Sequence, residues 1–74
     1  MNRVCHKIDN VRLETYEVYD PKTGRSIIYE KDLRGRITRK TYTRGRVGHV
    51  FLEKVEPSDE IEFNKIKKCY QEQL

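Results

Sequence analysis

The side chains best suited to catalysis or metal binding are few in this chain and widely separated. The histidines, cysteines and serines number two each, at His6, His49, Cys5, Cys69, Ser26 and Ser58. His49 and Glu53 can share one face of a strand, and an arginine-lined His–Glu pair can cleave a phosphodiester. A half-buried strand histidine beside a surface glutamate explains the same pattern, and we therefore expect no enzyme.

Zinc would have to be held by Cys5, His6, His49 and Cys69, since these are the only thiols and imidazoles in the chain. Structural zinc sites are typically built from closely spaced pairs such as C-x₂-C or H-x₃-H. Neither spacing occurs in this sequence. We therefore expect no metal and no other cofactor.

The two cysteines also bear on the expected compartment. A small secreted domain usually carries four or more cysteines. Residues 1–9 include Arg3 and Lys7, but no apolar stretch typical of an export signal follows them. The sequence therefore predicts free thiols and a reducing, cytoplasmic location, with a single clasp between Cys5 and Cys69 as the alternative. No apolar run approaches the roughly 18 residues needed to cross a bilayer, so no membrane partner is expected.

The 74 residues predict one small domain spanning residues 1–74. The chain is too short for a large enzyme with a deep pocket. A domain below about 70–80 residues is only marginally stable without a staple such as a disulfide or a metal. Association with a partner would stabilise such a domain, because a partner that binds only the folded state shifts the equilibrium toward it.

Glycine-containing turns divide the middle of the chain into segments rich in β-branched and aromatic residues. Asp20-Pro-Lys-Thr-Gly24 and Asp32-Leu-Arg-Gly35 have the residue types that turns require, and Arg44-Gly45 is a shorter candidate. They separate four predicted strands, at residues 11–19, 25–31, 36–43 and 46–55. Short connections make consecutive strands antiparallel, which predicts a four-stranded meander. The last strand is apolar on both faces and is expected to be central.

The alternation of apolar residues is imperfect in the first predicted strand. Val11 and Leu13 have one parity, whereas Tyr16 and Val18 have the other. Either a bulge or a later start of the strand would explain the switch.

The C-terminal segment predicts a helix over residues 58–74 that packs on one face of the sheet, which makes the fold α+β. Ser58 is a suitable N-cap after Pro57. One stripe comprises Phe63, Ile66, Tyr70 and Leu74. The stripe is expected to cover the sheet, and pairing with a second copy in a homodimer is the alternative. Residues 1–10 are expected to form either a flexible tail or a short extra strand.

Positive charge is concentrated in one predicted hairpin. Residues 31–50 hold seven Lys or Arg side chains against Asp32 alone, a net charge of +6 in a chain whose total is +4. Arginine, lysine and hydroxyl side chains bind phosphates, and a two-stranded ribbon fits the major groove of DNA. The sequence therefore predicts nucleic-acid binding, DNA rather than RNA, by Arg25, Arg34, Arg36, Arg39, Lys40, Tyr42, Arg44 and Arg46.

Within this set, Arg36, Lys40 and Arg44 are expected to share a face with Tyr42 and to contribute most of the binding. Arg34 and Arg46 are expected to grip phosphates from the turns. The rival hypothesis is a protein-binding module that regulates or inhibits a partner, because arginine and tyrosine are also enriched at protein interfaces. An acidic protein that mimics phosphate would meet the same hairpin. A basic face that serves only solubility is the third explanation.

Residues 16–25, Tyr-Glu-Val-Tyr-Asp-Pro-Lys-Thr-Gly-Arg, precede a basic sheet and a helix. This arrangement resembles the amino-terminal DNA-binding domains of tyrosine recombinases. The resemblance implies a sheet placed in the major groove with a helix packed behind it. It assigns no functional role to any individual residue of this chain.

Overall fold

The chain folds into a five-stranded antiparallel sheet with one helix packed on one of its faces. The structure is a computed structural model that describes residues 3–44 and 49–74, and of Arg44 it describes only the backbone. The elements are β1 (Val4–Ile8), β2 (Glu14–Asp20), β3 (Arg25–Lys31), β4 (Ile37–Arg44), β5 (Val50–Pro57) and α1 (Glu60–Glu72). Neighbours in the sheet follow chain order. The α+β class, the antiparallel meander and the C-terminal helix are confirmed, but the prediction of four strands is wrong.

The additional strand is β1, which was expected as a tail or a short strand. It pairs along its whole length with β2, from Val4 opposite Tyr19 to Ile8 opposite Thr15. β2 begins at Glu14, so Val11 lies outside the sheet and is fully exposed. The switch in apolar parity between residues 11 and 19 therefore arises from the later start of the strand.

The strand expected to be central lies instead at one edge of the sheet. β5 pairs with β4 and ends the strand order, and its side chains are almost all exposed. Its apolar residues on both parities were interpreted as a sign of burial on both faces. The predicted start of this strand at residue 46 lies outside the described residues.

The two strong turns form as their residue types predict. In the first, the Gly24 N–H donates to the Asp20 carbonyl at 2.9 Å, and Gly24 has a φ of 74°. In the second, Gly35 has a φ of 86°, and Asp32 Oδ1 accepts hydrogen bonds from the backbone N–H groups of Arg34 and Arg36. Glycine adopts positive φ without the strain that a Cβ would cause.

The core lies between α1 and one face of the sheet. Phe63 is 1% exposed, and its ring meets that of Tyr16 edge-to-face with centroids 5.5 Å apart. Tyr16 also donates a hydrogen bond to Glu14 Oε2 at 2.8 Å. Burial, and then this bond, raise the pKa of Tyr16 to about 12. The other buried apolar residues of this layer are Cys5, Val18, Tyr29 and Ile37.

The helix differs from its prediction at both ends. Asp59, not Ser58, is the N-cap, and its side chain accepts a hydrogen bond from the Glu62 N–H at 2.8 Å. Leu74 lies beyond the end of α1 and is 85% exposed, so it does not extend the apolar stripe. Cys69 packs against the core together with Ile66 and Tyr70.

A disulfide joins Cys5 of β1 to Cys69 of α1, across 64 positions of sequence. The prediction of free thiols is therefore wrong, and the clasp that was the alternative is present. The side chain of Gln73 reinforces the same junction, because it accepts a hydrogen bond from the Cys5 N–H and donates one to the Arg3 carbonyl. The first strand is thus attached to the end of the helix.

Within the described residues, no helix is both long enough and apolar enough to cross a membrane.

Breaking the Cys5–Cys69 bond is expected to lower the free energy of unfolding by about 2–4 kcal/mol, because the bond closes a long loop of the unfolded chain. Urea unfolding of the oxidised protein, the reduced protein and the Cys5→Ser/Cys69→Ser variant measures the loss. Reductant should leave the double variant unchanged, which is the control. Equal unfolding midpoints for oxidised and reduced protein would contradict the expectation.

Candidate interaction surface on the open sheet face

We term the sheet face opposite α1 the open face. The alternation of side chains along β3, β4 and β5 determines which residues lie on it. Successive side chains of a strand point to opposite faces, and paired residues of neighbouring strands point to the same one. The register therefore places on the open face the residues Ser26, Ile28, Glu30, Thr38, Lys40, Tyr42, Val50, Leu52 and Val55. The helix that this structure describes packs on the other face.

Of the predicted nucleic-acid-binding residues, the structure places Lys40 and Tyr42 together on this face. Lys40 Nζ lies 2.9 Å from Glu30 Oε1 on the neighbouring strand. The hydrogen bond with Glu30 raises the pKa of Lys40, against a smaller opposing effect of burial. The charge of Lys40 is thus already balanced within the protein.

Arg39 points to the opposite face, toward α1. Its guanidinium contacts Glu56 of β5 and lies 2.7 Å from Glu62 of α1. The hydrogen bond to Glu56 is the main cause of the raised pKa of Arg39, and it lowers the pKa of Glu56 in turn. Arg39 therefore links two strands to the helix, and a phosphate would have to displace its carboxylates.

The remaining described site residues lie in two separate places, with Arg25 in one and Arg34 and Arg36 in the other. Arg25 is on the helix side of the sheet, with its Nε 3.7 Å from Glu53 Oε1. Arg34 and Arg36 lie exposed in the turn between β3 and β4, and no ion pair involves them among the described residues. Arg46 and the side chain of Arg44 lie outside the described residues. The described cations therefore do not form one continuous basic surface.

The open face instead presents apolar side chains to solvent along β5. Val50, Leu52 and Val55 are 56%, 53% and 56% exposed. Contiguous exposed apolar side chains often mark sites of interaction with other molecules, whereas apolar side chains exposed singly are ordinary. The sequence contained this signal, but apolar residues on both parities were interpreted as a central strand.

A pocket of about 210 Å³ opens beside these residues, lined by Glu17, Ser26, Ile28, Tyr42 and Val50. The hydroxyl oxygen of Ser26 is buried and has no hydrogen-bond partner in the described part of the protein. A buried hydroxyl without a partner is unfavourable by about 1–3 kcal/mol. A polar group of a bound molecule that reached this pocket would remove that penalty.

The described polar side chains at the margins of the open face contact one another. His6 contacts Glu17 across β1 and β2, and Lys40 pairs with Glu30. Because the described cation of this face, Lys40, is already paired, the face favours an apolar partner over a strongly acidic one.

A bulge in β5 brings Leu52 and Val55 to the same face. Thr41 pairs with Lys54 and Tyr42 pairs with Leu52, so Glu53 is an extra residue on β5. In a regular strand, residues three positions apart point to opposite faces. The bulge corrects this parity and extends the apolar row past Glu53.

The residues that the sequence offered for catalysis or metal binding contact other groups in the described part of the chain. Glu53 contacts Arg25, whereas the ring of His49 stacks on that of Phe51 with centroids 6.2 Å apart. Cys5 and Cys69 are joined to each other. Over residues 3–44 and 49–74, no group of three or more His, Cys, Asp or Glu side chains could hold a metal ion.

No family model, curated protein or solved structure matches this chain. The resemblance of residues 16–25 to tyrosine recombinases therefore stays a prediction.

Replacing Arg39 by Gln is expected to lower stability most above pH 4.5, the ordinary pKa of Glu56. The pKa of Glu56 is lowered in the folded protein, so its stabilising contribution is present above that value. It is lost as the pH falls through the folded pKa. Urea midpoints between pH 7 and pH 3 should therefore converge for wild type and Arg39→Gln.

Arg36→Gln is the matched control for this experiment, because it removes the same charge from an exposed position without an ion pair. Its midpoint should stay within the error of wild type at each pH. A constant gap between Arg39→Gln and wild type down to pH 3 would show that the ion pair is not the cause.

Proposed function

We propose that this chain is a small non-enzymatic module that binds another protein through the open face, at β4, β5 and the adjoining pocket. The exposed apolar row of Val50, Leu52 and Val55 is the observation that carries the proposal. Interfaces bury such rows at their centre and surround them with polar residues. Here Tyr42 and the Lys40–Glu30 pair flank the row.

The chemistry of the surface specifies the kind of partner. An apolar or aromatic patch on the partner would cover the row, and a single polar group entering the pocket would pair with Ser26. The acidic partner expected from the sequence is less suited to the described part of this face, because Lys40 is already paired with Glu30. Such a domain would regulate or inhibit its partner by covering part of the partner's surface.

Leu52→Lys is expected to reduce capture of the partner in pull-downs by about tenfold or more, since burying an unpaired charge at an interface is strongly unfavourable. Leu33→Lys is the matched control, because Leu33 is equally apolar, lies in a turn and is 89% exposed. The partner recovered by wild type should bind the purified Leu33 variant and fail to bind the Leu52 variant. Equal binding by both variants would exclude the open face as the site.

Nucleic-acid binding is the second candidate function, and the β3–β4 turn favours it. Arg34 and Arg36 are exposed there without ion pairs among the described residues, within the segment of net charge +6. These two guanidinium groups are available to phosphates, unlike those of Arg39 and Arg25. A site built on this turn would reach the duplex with the tip of the hairpin rather than with the sheet face.

Under this candidate, two phosphate contacts, one from each of these arginines, would make duplex DNA affinity fall about 12-fold between 50 and 200 mM salt. Fluorescence anisotropy with a labelled duplex measures the effect. The Arg34→Glu/Arg36→Glu variant should lose binding, whereas Lys65→Glu/Lys68→Glu, which makes the same charge change on α1, should retain most of it. Absence of binding by wild type at the lowest salt would exclude this candidate.

The disulfide bears on the compartment. Disulfides persist in oxidising compartments and are rare where thiols are kept reduced. We therefore propose an oxidising compartment in place of the cytoplasmic location that the sequence predicts.

A further inference from the structure

The outer edge of β5 carries backbone groups for which no strand among residues 3–44 and 49–74 supplies a neighbour. β5 is the last strand in the order and is eight residues long. An exposed edge strand of this length is a template on which another strand can pair. The pairing with β4 determines which residues of β5 direct their backbone N–H and C=O groups toward the free edge.

The Ser58 N–H donates to the Ile37 carbonyl at 2.9 Å. In an antiparallel ladder this bond flanks the pair of Thr38 with Pro57, which is therefore of the non-hydrogen-bonded kind. The two kinds of pair alternate along the ladder. Val55, Leu52 and Val50 consequently direct their N–H and C=O groups away from β4, toward the free edge.

The bulge restricts what can pair with this edge. Glu53 and Lys54 together occupy the space between Leu52 and Val55, where a regular strand has one residue. The outward backbone groups on the two sides of the bulge are therefore spaced too widely for a regular strand. A second copy of β5 has the same spacing, with its bulge at the same place.

We propose that β5 pairs with β5 of a second copy of this chain, antiparallel and about a two-fold axis between Glu53 and Lys54. Leu52 then lies opposite Val55 of the second copy, and both belong to the same face of the joined sheet. The pairing produces one continuous ten-stranded sheet. Because the proposal depends on the edge of β5, it goes beyond the docking of a partner on the open face.

Charge complementarity favours this occupant. The two-fold axis sets Glu53 against Lys54 of the second copy, and Lys54 against Glu53 of the second copy. Within one chain Glu53 also contacts Arg25, and Lys54 contacts Glu56. The cations of both pairs are exposed, so these weak surface pairs leave the residues able to form a further pair across the axis. Lysine on an edge strand normally deters pairing with other strands. In this dimer each lysine faces a glutamate, so pairing is favourable with a second copy and unfavourable with an uncharged strand.

The proline at the C-terminal end of β5 is also compatible with this pairing. Val50 lies opposite Pro57 of the second copy, and proline has no N–H to donate. Each proline stands at the last position of β5, so the missing bond falls at the end of the paired region and not within it. The proline therefore limits the pairing to residues 50–57.

Analytical ultracentrifugation of the full oxidised chain over a range of concentrations tests the proposal. Wild type should dimerise, and Glu53→Lys should raise the dimer dissociation constant about 10- to 30-fold, because both central pairs become like-charged. The Glu53→Lys/Lys54→Glu variant restores opposite charges across the axis and should recover most of the lost affinity, while it loses the intrachain pairs with Arg25 and Glu56. Glu72→Lys, at the exposed end of α1, makes the same charge change and should have no effect.

Amide hydrogen exchange distinguishes pairing at the edge from packing of two open faces. The N–H groups of Val50, Leu52 and Val55 should become protected as the concentration rises. Those of Phe51, Lys54 and Glu56 face β4 and should be protected at every concentration. A dimer without protection of the first set would overturn the proposal, and so would a protein that stays monomeric.

A monomeric result leaves the proposed function testable on its own. Capture of a different protein would still depend on Leu52 and not on Leu33. Conversely, a dimer with protected edge amides that captures no other protein would support the pairing and count against docking on the open face.

Discussion

The packing of Phe63 against Tyr16 is the contact on which the rest of the molecule depends. The helix α1, 13 residues long, supplies the side chains that cover the core from the side opposite the sheet. Its one fully buried side chain is Phe63. The helix reaches β1 and β2 directly and is bonded to β1 at its far end. It is too short to cover a five-stranded sheet, so β5 receives no such cover. The position of the core therefore decides which strand remains available to other molecules.

Local chemistry explains the features that the sequence predicted well. The turns at Gly24 and Gly35 and the start of α1 are each determined by a few neighbouring residues, and the structure has them within one or two positions. Features that depend on contacts between residues far apart in the sequence could not be predicted in the same way. β1 becomes a strand because β2 offers it an edge, and Cys5 meets Cys69 only after the sheet and helix have formed.

For the candidate site too, the contacts between strands could not be predicted from the sequence. Alternation correctly placed Lys40 and Tyr42 on one face, but it could not show that Glu30 and Glu56 neutralise Lys40 and Arg39. Those carboxylates come from neighbouring strands, and their distance from the cations depends on register. The apolar residues of β5 were visible in the sequence, yet whether such a strand is buried or exposed depends on its place in the sheet order. The bulge at Glu53 could not be inferred from the residues alone.

The bond between Cys5 and Cys69 has a further consequence for the integrity of the chain. It closes residues 5–69, which include all five strands and most of α1, into one covalent ring. A protease that cuts one exposed turn, such as the one around Leu33, would open the ring without releasing a fragment. The two pieces would stay joined, and their strands would remain close enough to reassemble. A single cut between Cys5 and Cys69 therefore leaves both pieces covalently joined as long as the sulfurs remain oxidised.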